Sequence, residues 1–304
     1  MSDSFHSGFV AVIGRPNVGK STLINALLGQ KIAAVSPRPQ TTRRAQLGIF
    51  TTERMQIIFV DTPGLHIPQH KLGKALNQIA EDALEGVDAA LWLVDASVPP
   101  TVEDTRISDI LLLMQEKMPI LLGLNKIDKI SEDALAARKE EYRALLPKLA
   151  ALLPISATRG DGRDALLDAL YAHLPERPPD FPEDQVTDLY ERDIAADLIR
   201  EACLIYLRDE VPHSIAVRID EFTERGDKGA YIAATLFVER DSQKGIVIGQ
   251  KGRMLKKIGS AARMEIEAMS GRKVFLDLRV KVLKDWRNNE AYLKRFGYRL
   301  RKKS

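Results

Sequence analysis

Cysteine is nearly absent: Cys203 stands alone among 304 residues. That excludes an internal disulfide and a multi-cysteine metal site, and the residue reads as a packed helical position. The five histidines include no helical i, i+4 pair, so they carry no metal-site signature. No run of about eighteen apolar residues is present to span a bilayer. Met1 to Gly8 is short and polar, without the hydrophobic core of a secretion signal. A soluble, cytoplasmic protein is therefore expected, and with 45% hydrophobic residues over this length it has material for two cored domains.

What is present begins with Gly14, Arg15, Pro16, Asn17, Val18, Gly19, Lys20 and Ser21, a run that fits the phosphate-loop pattern G-x-x-x-x-G-K-[ST]. An apolar strand over 9–13 precedes it and a helix over 20–28 follows. The glycines let the backbone wrap a polyphosphate, and the helix adds the positive end of its dipole. In this pattern Lys20 neutralises the terminal phosphates and Ser21 ligates Mg²⁺.

The base is read further along. Asn125-Lys126-Ile127-Asp128 follows the apolar run 120–124, at the carboxyl end of a buried strand, where open α/β sheets place ligands. The Asp128 carboxylate can accept from both N1–H and the 2-amino group of guanine, donors that adenine lacks. Asn125 is expected on the base edge, the Lys126 stem along its face, and Ser156-Ala157 at the guanine oxygen. Asp61-Thr62-Pro63-Gly64 ends another strand, with Asp61 near Mg²⁺ and the Gly64 N–H toward the γ-phosphate. Within Gln40-Thr41-Thr42-Arg43, Thr42 is the choice for a second Mg²⁺ ligand and Thr41 the fallback. GTP and GDP are thus the expected substrate and product, with Lys20, Thr42 and Gly64 at the reaction.

A Pro- and acid-rich stretch over 175–184 separates two halves. The domain boundaries are set at 1–176 for nucleotide binding, 177–187 for a linker and 188–304 for a second domain. Upstream, apolar runs (9–13, 56–60, 87–94, 119–124, 152–155) alternate with helical segments (20–28, 70–85, 101–117, 132–150, 162–173). That predicts an α/β domain, a mostly parallel sheet with helices on both faces and an antiparallel edge strand near 45–52. Downstream the order is helix (188–209), strands (214–222, 230–239), helices on either side of 250 and a strand (274–283), an α+β domain.

Charge is unevenly shared. The whole chain carries net +3, yet from Lys244 to Ser304 there are 18 basic and 5 acidic residues. This is the footprint of a polyanionic partner, nucleic acid in preference to an anionic membrane. Within it, Gly249-Gln250-Lys251-Gly252 has the form of a GXXG loop, in which two glycines admit the sugar–phosphate chain and about four nucleotides are clamped. Leu255, Ile258, Ala262, Ile266 and Met269 are the core face of the next helix; Arg253, Lys256, Lys257 and Arg263 are its exposed side. A second match, Gly226-Asp227-Lys228-Gly229, lies between two strands and reads as a hairpin turn. Leu276, Leu278, Val280 and Val282 form a core face on the last strand. Trp286, Tyr292, Phe296 and Tyr298 alternate with cations leading to Arg301-Lys302-Lys303, and the rings are expected to pack on the sheet in preference to stacking on bases.

On these motifs the chain resembles the Era family of bacterial GTPases over both halves, with a type II KH domain at its C-terminal end. The resemblance implies binding to the 3′ end of 16S ribosomal RNA, a role in maturation of the 30S subunit, a monomer, and peripheral association with the inner membrane as an additional location. Two other readings stay open: a tRNA-modification GTPase and a membrane-associated regulator. Leu65 stands where Ras-like proteins carry the water-orienting Gln, so slow intrinsic hydrolysis is expected. Relatives in this branch use K⁺ held by an Asn at the position of Asn17, and the same is expected here.

Overall fold

The computed structural model describes residues 4–36, 38, 39, 41–224, 226 and 229–298. Gln40, Asp227, Lys228 and the terminal cations from Arg299 onward, all named above, lie outside the described residues. The chain divides into two compact units.

The first unit comprises Met1–Lys31, Thr42–Ile67 and Leu76–Asp188. Its six-stranded sheet has the order β2-β3-β1-β4-β5-β6, made of β1 (His6–Ile13), β2 (Gln46–Thr51), β3 (Met55–Asp61), β4 (Ala89–Asp95), β5 (Ile120–Asn125) and β6 (Ala151–Pro154). Only β2 runs antiparallel, paired with β3 at the sheet edge. The remaining ladders, β1 with β3 and β4, β4 with β5, and β5 with β6, are parallel. β3, β4 and β5 are buried along their whole length, which is why their sequences run continuously apolar and do not alternate. The helices are α1 (Lys20–Leu28), α2 (Lys71–Asp82), α3 (Val102–Leu112), α4 (Glu132–Leu145) and α5 (Arg163–Tyr171).

Four helices of this unit stop short of their predicted ends, α5 by only two residues. α4 halts at Leu145 because Pro147 forces the residue before it, Leu146, into extended backbone. The stretch 113–117 after α3 and the residues before Gly86 after α2 close in turns. The Pro-rich segment lies along the first unit: Ser7 Oγ donates to Asp180 Oδ2 at 2.7 Å, and Gln56 Oε1 accepts from the backbone N–H groups of Asp180 and Phe181.

The second unit comprises Ile32–Thr41, Pro68–Ala75 and Leu189–Ser304. It contains α6 (Glu191–Tyr206), β7 (Ala216–Glu224), β8 (Ala230–Val238), α7 (Asp241–Ile248), α8 (Arg253–Ser270), β9 (Val274–Val282) and α9 (Glu290–Arg295). β7 and β8 are antiparallel and β8 and β9 parallel, in a three-stranded sheet. Between β7 and β8 the Gly229 N–H donates to Gly226 O at 3.0 Å. Its core joins Leu198, Ile199 and Cys203 of α6 to Ile232 and Leu236 of β8 and Ile258, Ala262 and Ile266 of α8. Of the late aromatics Trp286, Phe296 and Tyr298 are buried and Tyr292 is part-buried, and Trp286 Nε1 donates to Ser214 O at 2.8 Å. The Leu72 N–H donates to Arg287 O at 2.9 Å, tying Pro68–Ala75 into this unit.

Candidate nucleotide and RNA sites

The phosphate loop leaves β1 at Ile13 and enters α1 at Lys20. Asn17 (φ 65°) and Gly19 (φ 105°) adopt left-handed backbone, which alternates the direction of successive peptide groups as a phosphate nest requires. Lys20 Nζ, buried, donates to Gly14 O at 3.0 Å and Arg15 O at 3.2 Å. Burial lowers its pKa to about 8, against the opposing pull of Asp61. Arg15 donates from Nε to Asp104 Oδ2 at 3.2 Å, and Asp104 also closes the capping box of α3 with Thr101. One helix N-terminus therefore anchors one side of the loop.

Ser21, Thr42 and Asp61 converge. Ser21 Oγ lies 2.7 Å from Asp61 Oδ2 and 2.8 Å from Thr42 Oγ1, and Thr42 Oγ1 is 3.4 Å from Asp61 Oδ2. Gln46 Nε2 adds a donor to the same carboxylate oxygen at 3.3 Å. Asp61 Oδ1 is buried with no hydrogen-bond partner, and burial raises the pKa of this carboxyl above its ordinary value. Two hydroxyls at one oxygen of a buried carboxylate whose other oxygen is unpartnered are hard oxygen ligands, so the group fits Mg²⁺.

Thr62 Oγ1 donates to Val12 O at 2.7 Å and holds β3 against β1. After Pro63, Gly64 passes so close to the loop that a Cβ there would lie 2.5 Å from Pro16 N. Only glycine permits this approach. The Leu65 side chain is buried in the apolar cluster of Ala80, Leu84 and Ile107, and its N–H donates to Gly14 O at 3.2 Å. The next side chain, His66, turns its Nδ1 back to Gly64 O at 3.0 Å.

At the carboxyl end of β5, Asn125 has two backbone partners from other loops. Its Nδ2 donates to Val18 O at 2.7 Å and its Oδ1 accepts from Ala157 N at 2.9 Å. Thus Asn125 joins the phosphate loop to the loop after β6, and the second N–H of its amide is left for the base edge. A buried amide satisfies the backbone groups beside it, and spacing in sequence does not reveal which ones those are. Lys126 (φ 67°) lays its stem across the phosphate loop, with Nζ 2.8 Å from Asn17 O and 2.6 Å from Asp95 Oδ2. Asp128 is exposed. Ser156 Oγ donates to its Oδ1 at 2.6 Å, and that bond holds its carboxyl below the ordinary range, ionised and able to accept.

In the second unit, α7 ends at Gly249 (φ 71°, ψ 173°), where a Cβ would lie 2.7 Å from Met254 Cβ. Lys251 (φ 50°) and Gly252 (φ 75°) complete a left-handed loop with Gln250, and Arg253 opens α8. From this loop a groove of 370 Å³ runs between α8 and β9. Lys256 lines it and Lys257 does not: Lys257 Nζ sits 4.5 Å from the centre of the Tyr206 ring on the α6 side. Leu255, Leu276 and Leu278, assigned above to core, are part-buried and also line the groove. Arg263 and Phe275 complete its far end. Phe275 was not singled out in the sequence; its outward position opposite Leu276 in an alternating strand was the available signal.

Both halves of the chain have counterparts among known proteins. A family model described as a 50S ribosome-binding GTPase matches residues 9–126, and a KH-domain model matches 210–287. GTPase Era of Ruminiclostridium cellulolyticum is 48% identical over 299 residues, covering 98% of this chain and 99% of its own. The chain belongs to the GTPase Era family. Era of Geobacter metallireducens is 49% identical over 300 residues, 98% of this chain and all of its own. Among solved structures, an Era in complex with MgGDPNP and nucleotides 1506–1542 of 16S ribosomal RNA superposes with a TM-score of 0.92 at 40% identity, covering 97% of this chain and 100% of that one. A single-residue variant of Aquifex aeolicus Era, solved with GDP·AlF4⁻, gives 0.91 at the same identity and coverage. The P-loop sheet followed by a KH domain is thus the Era architecture throughout, and no helix of the described residues is long and apolar enough to cross a membrane.

Proposed function

We propose that this Era-family chain is a GTP-hydrolysing switch joined to a reader of single-stranded RNA, acting on the 3′ end of 16S ribosomal RNA during assembly of the 30S subunit. The observation that carries this reading is the pairing on one chain of the Ser21–Thr42–Asp61 cluster beside a guanine-type Asn-Lys-x-Asp loop with a basic GXXG groove. It is supported by the relative solved with both MgGDPNP and 16S nucleotides.

Each side chain has a task in this reading. Asp128, ionised, accepts from guanine N1–H and the 2-amino group, Lys126 covers the base face, and Asn125 holds the two loops in register. Gly14 to Ser21 cradle the phosphates, with Lys20 at the terminal ones; a triphosphate beside it restores the proton affinity that burial removes. Ser21, Thr42 and Asp61 would hold Mg²⁺, which supplies positive charge against the β- and γ-phosphates. Gly64 directs its N–H to the γ-phosphate. Leu65 offers no group to the attacking water, so unassisted turnover is slow. A K⁺ ion beside Asn17 belongs to the same proposal, and equal turnover in Na⁺ and K⁺ would remove it.

Ile32–Thr41 and Pro68–Ala75, which adjoin Thr42 and the Gly64 loop in sequence, cluster with the RNA-reading unit. In this proposal GTP and Mg²⁺ order the segments around Thr42 and 61–70, and nucleotide state thereby changes RNA affinity. The test is equilibrium binding of the full chain to a 16S 3′-end oligonucleotide and a scrambled control, loaded with GTP analogue or GDP, with Lys251→Asp alongside. Preference for the 16S sequence, stronger in the GTP form and lost in K251D, is expected. Equal, purely salt-sensitive binding to both oligonucleotides overturns the reading and leaves a generic polyanion surface open to RNA or lipid.

A further inference from the structure

Phe275 is 67% exposed at the end of the groove far from the GXXG loop. A single exposed apolar side chain needs no explanation by itself. Three observations set this one apart. Its ring stacks on that of Tyr231 across the β8–β9 ladder, centroids 5.8 Å apart and planes 19° apart, so one face is backed and the ring is held in place. The groove lining contains Lys256 and Arg263 and no acidic residue. On the open sheet face beyond it, Arg279 pairs with Asp277 at 3.1 Å and Arg218 with Asp220 at 2.6 Å. The cations that line the groove itself, Lys256 and Arg263, are both on α8.

From Gly252 to Arg263 the helix rises about 16 Å. A base at Phe275 thus belongs to a different nucleotide from the one whose phosphate meets the GXXG loop. We propose that Phe275, backed by Tyr231, is a stacking platform for one nucleobase at the end of the clamped tetranucleotide, with Arg263 neutralising the adjoining phosphate. This rests on the RNA-reading function proposed above and adds a binding residue to it. Stacking is tolerant of base identity and scales with overlap, so a purine is held better than a pyrimidine.

The experiment is a double-mutant cycle on the full chain loaded with GTP analogue, using the 16S 3′-end oligonucleotide and a series with one abasic site walked along it. In the wild type, one abasic position at the end of the clamped tetranucleotide weakens binding by about tenfold. Phe275→Ala weakens the intact oligonucleotide by a similar factor and is insensitive to the abasic site at that position, whereas Phe275→Trp retains both affinity and sensitivity. Phe275→Leu keeps the apolar packing without the ring; it behaves like F275A, which separates stacking from any loss of fold. Wild-type affinity in F275A, or an abasic profile unchanged by it, overturns the platform while leaving the RNA reading intact. A wild type that does not distinguish the 16S sequence from its scrambled control takes down both.

Discussion

Asn125 donates from Nδ2 to the Val18 carbonyl at 2.7 Å while its Oδ1 takes the Ala157 N–H at 2.9 Å, so one buried amide fixes the phosphate loop relative to the base-side loop. Asn125→Ala leaves a carbonyl and an N–H unsatisfied in the interior, each costing about 1–3 kcal/mol. The expected outcome is a lower melting temperature without nucleotide and at least a hundredfold weaker GDP binding. Measured by thermal unfolding and by fluorescent-nucleotide titration, a loss of affinity without loss of stability would instead assign Asn125 to the base.

Asp128 is the group on which guanine selection depends. Asp128→Asn replaces an acceptor by a donor opposite the 2-amino group, so affinity for GTP falls by about a hundredfold or more while xanthosine triphosphate, with an oxygen at that position, gains. The pH dependence has a defined sign. Because the Ser156 bond lowers the Asp128 pKa, the accepting carboxylate persists as pH falls below the ordinary carboxylate range and is lost only on passing the lowered value. Guanine nucleotide affinity should therefore show no Asp128 titration between pH 7 and pH 5.

Neighbouring lysines on α8 separate a groove contact from a packed one. Lys256 lines the groove, whereas Lys257 lies over the Tyr206 ring. Lys256→Glu should weaken RNA binding and reduce the slope of log K against log salt by about 1, while Lys257→Glu leaves that slope nearly unchanged. Equal effects of the two would place the RNA track across the α6 side.

Much of the fold was legible in the sequence, and for identifiable reasons. β3, β4 and β5 are buried on both faces, so their continuous apolar runs could be read directly, and the loop motifs at their carboxyl ends fell where a parallel sheet puts ligands. What escaped were features set by three-dimensional proximity. Asn125 lies 107 residues from Val18 in sequence, and nothing local signals their bond. Lys256 and Lys257 are equivalent as composition, and only the rotation of α8 against α6 and β9 divides them. Leu276 and Leu278 alternate as core residues do, yet β9 is an edge strand and part of that face opens into the groove.

Cys203 is fully buried on α6, and burial pushes its thiol up to about 12. At pH 8 the thiolate fraction is negligible and no path from solvent reaches the sulfur. Native protein should resist iodoacetamide for hours and react with one equivalent on addition of guanidinium chloride. Rapid labelling of native protein would show that α6 opens locally well below the global unfolding free energy.

Leu65 gives the most direct test of how this GTPase positions its water. Substituting the Gln of Ras-like proteins is the obvious attempt to raise intrinsic hydrolysis, and the structure argues that it fails. The Leu65 side chain is buried among Ala80, Leu84 and Ile107, and its own N–H is committed to Gly14 O, so the residue faces the α2–α3 side of the sheet. Leu65→Gln places an amide among these apolar side chains, at a cost of about 1–3 kcal/mol. Single-turnover GTP hydrolysis should change by less than about twofold, with a melting temperature several degrees lower. A tenfold or greater acceleration would mean that the loop after Gly64 turns over in the GTP state and carries position 65 to the γ-phosphate.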